Sequence, residues 1–369
     1  MNPFLLRGYK GTDFFCDREN ETNKIINALK NGQDITLYGY RRLGKSALIK
    51  HVFYYLESEY TCIYVDIWGT TNVEEFSKNM INSTIQSSLL RKKRFRDKVY
   101  DFLKSVGASF KIDADGIPSV DVIYRERNTA FESLDELFSF IQKLDVPVVL
   151  AIDEFQEIRN YSNHVPFEAK LRSITQNTGN VQFIFSGSEK HLLADIFTSY
   201  RMPFYQSTRM MTIDKISEDA YSEFINRHFK TAKKEIQTDV LKFIMQASYR
   251  HTFYAQAMLN LLFSVSKSTM DLTEYKKHFE NFILEKAVYY SELPELLTKQ
   301  QFIMLKAIGK QGKITNPTSS EFLMQSGIKS ASSMHRVVNS LLDKQLILKE
   351  EDAYRLYDVF LEHYFKIEK

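Results

Sequence analysis

The chemistry legible in this sequence rests on four side chains, Lys45, Ser46, Asp153 and Glu154. The first two close the string Gly39-Tyr40-Arg41-Arg42-Leu43-Gly44-Lys45-Ser46. Glycines at those places let a loop turn its backbone N–H groups onto anionic oxygens. Lys45 then reaches β- and γ-phosphates, and the Ser46 hydroxyl offers Mg²⁺ a hard oxygen ligand. Ala47 continues into a helix whose N-terminal end adds a partial positive charge. ATP and Mg²⁺ are therefore the expected cofactors, held by Gly39, Tyr40, Arg41, Arg42, Leu43, Gly44, Lys45, Ser46 and Ala47. Downstream, Asp153 is expected to hold Mg²⁺, directly or through water, and Glu154 to orient and polarise the attacking water. Ser188, with Ser186 as the alternate, ends a later strand and is a candidate for positioning water or sensing the γ-phosphate; a plain turn is the competing reading.

These groups need strands and helices to hold them, and the pattern supplies both. Ile35-Thr36-Leu37-Tyr38 reads as a strand feeding the glycine-bounded loop, and Ala47 to Leu56 as the helix leaving it. Cys62 to Trp68, Val148 to Ile152 and Val181 to Phe185 are apolar runs without strict alternation, which suits strands buried on both faces. Met210 to Ile213 reads as a last short strand. Helical stripes separate these runs, including one capped by the box Ser133-Leu134-Asp135-Glu136. The alternation predicts an α/β fold with ligands at the C-terminal ends of parallel strands, where Asp153 and Glu154 fall. Two segments interrupt it. Residues 108–124 alternate as a β-hairpin insertion. Arg91-Lys92-Lys93-Arg94-Phe95-Arg96 is either a solvated helix end or a phosphate-backbone contact.

Composition excludes several classes. With 369 residues the chain exceeds one ordinary core. A formal charge of +3 is too weak to imply nucleic acid by itself, so any DNA-binding surface must be a local patch. Cys16 and Cys62 have no metal-ligand spacing and form no disulfide framework. No run of 18 apolar residues is present, and the N-terminus lacks an apolar targeting core, so a cytoplasmic protein without a membrane span is expected.

From Ser217 onward the pattern turns helical, and Pro294 marks a further boundary. Beyond it, a helix carrying Phe302, Leu305 and Ile308 and helices over Ser320 to Gln325 and Ser330 to Lys344 precede two short strands, the order of a winged helix-turn-helix. The third helix presents Ser332, Ser333, His335, Arg336 and Asn339 outward, types that can touch DNA or a protein partner. The expected domains are residues 1–215 with the hairpin insertion, 216–293 and 294–369.

The loop string, Asp153-Glu154-Phe155-Gln156 and the strand ending Phe185-Ser186-Gly187-Ser188 together resemble the archaeal-type ATPase family of the AAA+/STAND P-loop class. The resemblance covers approximately residues 10–290, and the C-terminal module looks like the winged helix that often follows. It implies a five-stranded parallel sheet of order 5-1-4-3-2 and a helical lid. It also implies that Asp17-Arg18-Glu19 stands where the family usually has Gly-Arg-Glu, placing Arg18 near adenine and ribose. An arginine completes such sites from the same or a neighbouring subunit; Arg172, Arg201 and Arg209 are the candidates, Arg209 being in the usual place. The lid departs from the Gly-x-Pro of STAND relatives with Arg250-His251-Thr252. The function implied is an ATPase switch coupled to a winged-helix module. An origin-recognition-like protein that ATP licenses to bind duplex DNA, and a nucleotide-dependent scaffold, are the alternatives.

Overall fold

Apolar runs too short for helices become strands when helices with one apolar face can cover both sides of them. The computed structural model describes residues 1–87, 95–112, 118–122, 129–328 and 330–368. Within it, Arg7–Ile216 form one compact unit. Its strands are β1 (Ile35–Tyr38), β2 (Thr61–Asp66), β3 (Ala108–Ile112), β4 (Pro118–Val122), β5 (Val148–Asp153), β6 (Val181–Gly187) and β7 (Arg209–Thr212). Its helices are α1 (Glu19–Lys30), α2 (Lys45–Leu56), α3 (Val73–Gln86), α4 (Arg96–Ser105), α5 (Ala130–Lys143), α6 (His164–Asn177) and α7 (Lys190–Thr198).

Five strands make a parallel sheet in the order β2-β5-β6-β1-β7. Numbered among themselves they run 2-3-4-1-5, which is the expected order read from the other edge. Alternation along β5 divides the core in two. Val148, Leu150 and Ile152 face a cluster with Phe76, Leu137, Ile141 and Phe167. Val149 and Ala151 face Ile25, Leu29, Leu48 and Val52 from α1 and α2. The registers Tyr38↔Gly187, Tyr38↔Thr212 and Asp66↔Asp153 bring the C-terminal ends of all five strands to one edge.

The expected hairpin is present as antiparallel β3 and β4. Its tip, residues 113–117, and residues 123–128 lie outside the described residues, as does the basic run as far as Arg94. The pattern did not single out α4; Val99, Phe102 and Leu103 bury one face of it.

The second unit comprises Met1–Leu6 with Ser217–Lys369. Its helices are α8 (Glu218–Thr231), α9 (Thr238–Ala247), α10 (Thr252–Val265), α11 (Leu272–Leu284), α12 (Ala287–Tyr290), α13 (Leu293–Leu296), α14 (Lys299–Gln311), α15 (Ser320–Ser326) and α16 (Ala331–Asp343). The strands β8 (Ile347–Glu350) and β9 (Ala353–Leu356) follow, antiparallel. Ser217 caps α8 where the sequence places it, and a Thr298–Gln301 capping box and Ser330 start α14 and α16. The expected box Ser133–Glu136 is not a cap: α5 starts from a Thr129–Glu132 box, which leaves Ser133 buried inside the helix. A final helix, α17 (Val359–Ile367), was not foreseen. It packs so closely on α14 that a Cβ at Gly309 would lie 2.6 Å from the Phe365 ring.

Candidate functional site

The loop between β1 and α2 uses its two glycines for different reasons. Gly44 caps α2 at φ 99°, a conformation that favours glycine. Gly39 has no such dihedral. A Cβ there would lie 2.4 Å from Ile213 Cγ2 and 2.8 Å from the Ile213 carbonyl oxygen, so the chain after β7 demands it. Arg42, exposed, holds φ 66°, which costs a non-glycine residue about 1 kcal/mol or more. Leu43 is buried on the α1–α2 side of the sheet and the half-buried Tyr40 ring packs against it there.

Lys45 is 5% exposed and lies back across the loop, Nζ donating to the carbonyls of Gly39 at 2.9 Å and Tyr40 at 3.2 Å. Burial pulls its pKa below the ordinary lysine value, and Glu154 and then Asp153 act against that shift. Lys45, Ser46 and Ala47 form the first turn of α2, where backbone N–H groups have no partner within the helix. Arg41 stacks its guanidinium 4.3 Å from the ring centroid of Trp68, the chain's one tryptophan.

Asp153 is 3% exposed and saturated with donors. Oδ2 accepts from Ser46 Oγ at 2.5 Å and from the Tyr64 hydroxyl. Oδ1 accepts from Ser186 Oγ at 2.5 Å and from the Glu154 N–H at 3.1 Å. Strand register explains the Ser186 contact: Ile152 pairs with Phe185, so the next residue of each strand meets the other. Glu154 sits in the left-handed region at φ 56°, and its carboxylate takes partners of its own. Its Oε2 accepts from Gln156 Nε2 at 2.7 Å, Ser188 Oγ at 2.9 Å and the Ser188 N–H at 3.3 Å. Ser186 and Ser188, alternates on sequence, therefore each engage one acid.

Sequence reasoning gave Tyr64 and Gln156 no role. Gln156 is buried across Gly187, where a Cβ would lie 2.0 Å from Gln156 Oε1. Tyr64 stands two residues before Asp66, the register partner of Asp153, and so shares its face of β2. Burial first and Asp153 second push its phenol pKa well above the ordinary tyrosine value, so it stays a donor.

The candidate arginines are not brought to these residues. Arg209 opens β7 opposite Ile35, at the strand end away from the loop, because a residue that starts a parallel strand lies at the N-terminal edge. Arg172 lies near Asp34 at that same edge, where it pulls on the Asp34 pKa. Arg201 is exposed. Arg18 is buried at φ 72°, paired with Glu21 at 2.8 Å and donating to the Asp214 carbonyl. It thereby ties the start of α1 to the chain next to Ile213. Asp17 holds φ 57°, which explains how it replaces the usual glycine: a short polar side chain tolerates this region.

The donor set fits Mg²⁺. Among the described residues no group of three His, Cys, Asp or Glu side chains could enclose a metal. Mg²⁺ is commonly held by one or two protein oxygens together with phosphate and water, and the Ser46 hydroxyl with the Asp153 carboxylate supplies that pair.

Comparison with known proteins agrees with this arrangement. Residues 15–245, more than half the chain, match the family described as "ATPase domain predominantly from Archaea", and residues 288–367 match "Probable winged helix domain". No curated protein matches the chain. Among solved structures, a Walker-type ATPase of Pyrococcus abyssi superposes with TM-score 0.69 at 20% identity, over 99% of each chain. The ORC2 protein of Aeropyrum pernix in ADPNP–ADP complexes superposes with TM-score 0.62 at 13% identity, over 99% of this chain and 95% of that one. The ORC1 protein of the same organism, in complex with DNA, gives 0.53 at 11% identity, over 97% and 94%. These are likenesses of fold. The family match, the sheet order and the site geometry have one conclusion: the chain belongs to the family of ATPase domains found predominantly in Archaea, with a winged helix following that domain.

Proposed function

We propose that this protein is an ATP-binding, Mg²⁺-dependent ATPase whose nucleotide state acts as a switch on its winged helix. The observation that carries the reading is the convergence of Lys45, Ser46, Asp153, Glu154 and Ser188 at the C-terminal ends of β1, β5 and β6. The unit Arg7–Ile216 is the nucleotide-binding part, and in the second unit residues 217–293 are a helical lid and 294–369 the winged-helix part. Lys45 exchanges its two loop carbonyls for β- and γ-phosphate oxygens. Ser46 and Asp153 hold Mg²⁺, which when bound neutralises charge on those phosphates. Glu154 orients and polarises water, its carboxylate steadied by Ser188 and Gln156. Because Arg209 and Arg172 lie at the other sheet edge, an arginine from a second copy is the proposed completion of the site. Cys16 and Cys62, not joined in a disulfide, suit a reducing cytoplasm, and among the described residues no helix is long and apolar enough to cross a membrane.

The test pairs two variants in nucleotide binding and phosphate release. Lys45→Ala is expected to lose ATP binding. Glu154→Gln is expected to keep binding and lose turnover by roughly 10²- to 10⁴-fold, the usual worth of a general base. Normal hydrolysis by Glu154→Gln would remove Glu154 from the mechanism.

Duplex DNA is the proposed partner of the winged helix. Ser332, His335, Arg336 and Asn339 are exposed on α16, the position of a recognition helix. On the hairpin wing Arg355 is 1% exposed and bound to Glu350 at 2.8 Å, which leaves Lys349 as an exposed cation there. Arg336→Ala should weaken DNA binding and flatten its dependence on salt. If DNA neither binds nor changes turnover, the exposed face of α16 is to be tested against protein partners.

A further inference from the structure

Asp153 has more donors than a metal-holding carboxylate needs, and two of them come from outside the loop and the acid strand, Tyr64 on β2 and Ser186 on β6. A carboxylate offers about four acceptor positions. Here Ser46 Oγ and the Tyr64 hydroxyl fill those of Oδ2, while Ser186 Oγ and the Glu154 N–H fill those of Oδ1. These donors are not equivalent. Ser46 lies on the phosphate loop and is the hydroxyl a nucleotide-bound cation would draw away. When it leaves, Oδ2 keeps a single protein donor, Tyr64.

We infer that Tyr64 is a positioning residue for Mg²⁺: its hydroxyl keeps the Asp153 carboxylate in the orientation that receives the cation once Ser46 has moved to the metal. The inference rests on the nucleotide-binding reading above. Tyr64 is built for the task. It projects from the middle of β2, its ring packs partly against the core of α1 and α2, and Lys50 Nζ lies 4.9 Å from its centroid. The phenol is rigid, so the hydroxyl arrives at Asp153 with little conformational freedom left to lose. Ser186 does the same for Oδ1 from the neighbouring strand. One fixed donor on each oxygen prevents rotation of the carboxylate about its Cβ–Cγ bond, and leaves one acceptor position of Oδ2 for the cation or for water bound to it.

The test is Tyr64→Phe, which keeps the ring and removes the hydroxyl. Calorimetric titration of the full chain with ADP and with a non-hydrolysable ATP analogue, in EDTA and then in Mg²⁺, separates metal-dependent from metal-independent binding. Affinity in EDTA is expected to stay within about twofold of wild type. The gain in affinity on adding Mg²⁺ should fall about ten- to a hundredfold, as for the loss of one hydrogen bond to a charged group. Half-saturating Mg²⁺ for turnover should rise by the same factor, with kcat recovering at high Mg²⁺. Ser186→Ala, acting on the other oxygen, should show the same Mg²⁺-specific loss and serves if Tyr64→Phe does not fold. Equal loss in EDTA and in Mg²⁺ would make Tyr64 a packing residue and overturn the inference, as would wild-type behaviour of the variant. A wild-type protein that binds nucleotide under neither condition refutes the nucleotide reading itself, a result distinguishable from failure of Tyr64.

Discussion

Gly187 shows how narrowly single residues are constrained around the acid pair. It ends β6 opposite Tyr38, and an added methyl would stand 2.0 Å from Gln156 Oε1 and 2.8 Å from Leu193 Cδ1. Gln156 is 1% exposed and cannot retreat into solvent without losing its bond to Glu154. Gly187→Ala is expected to destabilise the protein by about 1–3 kcal/mol, the usual cost of overpacking, and to displace the Glu154 carboxylate. Urea unfolding and phosphate release measure the two effects. Full turnover in a destabilised variant would separate Gln156 from the chemistry. Gly8 is the contrast: nothing lies within 4 Å of a Cβ there, although its φ of 77° still favours glycine.

At the scale of elements, the strand ends opposite the site are stitched by Asp34. Its carboxylate accepts the Phe183 N–H at 2.8 Å, and its carbonyl accepts the Arg209 N–H at 2.8 Å, so one residue aligns β6 and β7 on β1. Burial raises the Asp34 pKa from 3.8 to about 6, against the opposing pull of the Phe183 N–H and Arg172. The folded protein therefore binds a proton between those values that the unfolded chain has released, and stability falls as pH rises through this window. Asp34→Asn keeps an acceptor for Phe183 without the charge. It should exceed wild type in stability by about 1–3 kcal/mol at pH 7.5 and match it below about pH 4, read from chemical denaturation at both pH values. A constant difference across pH would show that Asp34 is not the titrating group.

At the scale of the whole molecule, the chain's first six residues belong with its last part. Phe4 is fully buried with its ring 6.1 Å from Phe224, 5.8 Å from Phe229 and 5.7 Å from Phe263. Asn260 Nδ2 donates to the Phe4 carbonyl at 2.7 Å, and Asn2 Nδ2 donates to the Asn260 carbonyl at 2.9 Å. Phe4→Ala should cost about 3–5 kcal/mol, because the cavity is lined on several sides. Unfolding that reports on α8 to α10 should show the loss; a variant as stable as wild type would mean the site collapses freely. In the same unit α17 grips the turn before α10. Glu362, 1% exposed, accepts from Tyr249 Oη at 2.8 Å and Lys366 Nζ at 2.5 Å, and His363 Nε2 meets the Ala247 carbonyl at 2.9 Å. The winged helix and the helices before it are one compact body through such contacts.

Across the chain, the sequence by itself determined what depends on local spacing. The glycines before Lys45 and Ser46, the apolar run ending in Asp153 and Glu154, and the capped stripes from Ser217 onward declare loop, strand and helix through neighbours a few residues away. The sheet order came from the resemblance those motifs carry. Tertiary structure alone decided what depends on register and on pairing distant parts of the chain. Ser186 meets Asp153 because Ile152 lies opposite Phe185, and Ser188 meets Glu154 just past the ends of the two strands. Tyr64 reaches Asp153 because β2 pairs with β5, although strands β3 and β4 intervene in sequence. Arg209 falls at the N-terminal edge of the sheet, away from the phosphate loop of its own chain, because β7 runs parallel to β1. Phe4 joins the second unit because its ring is buried there among three phenylalanines that lie far along the sequence. A hydrophobic pattern specifies which face is buried; only the folded chain specifies against what.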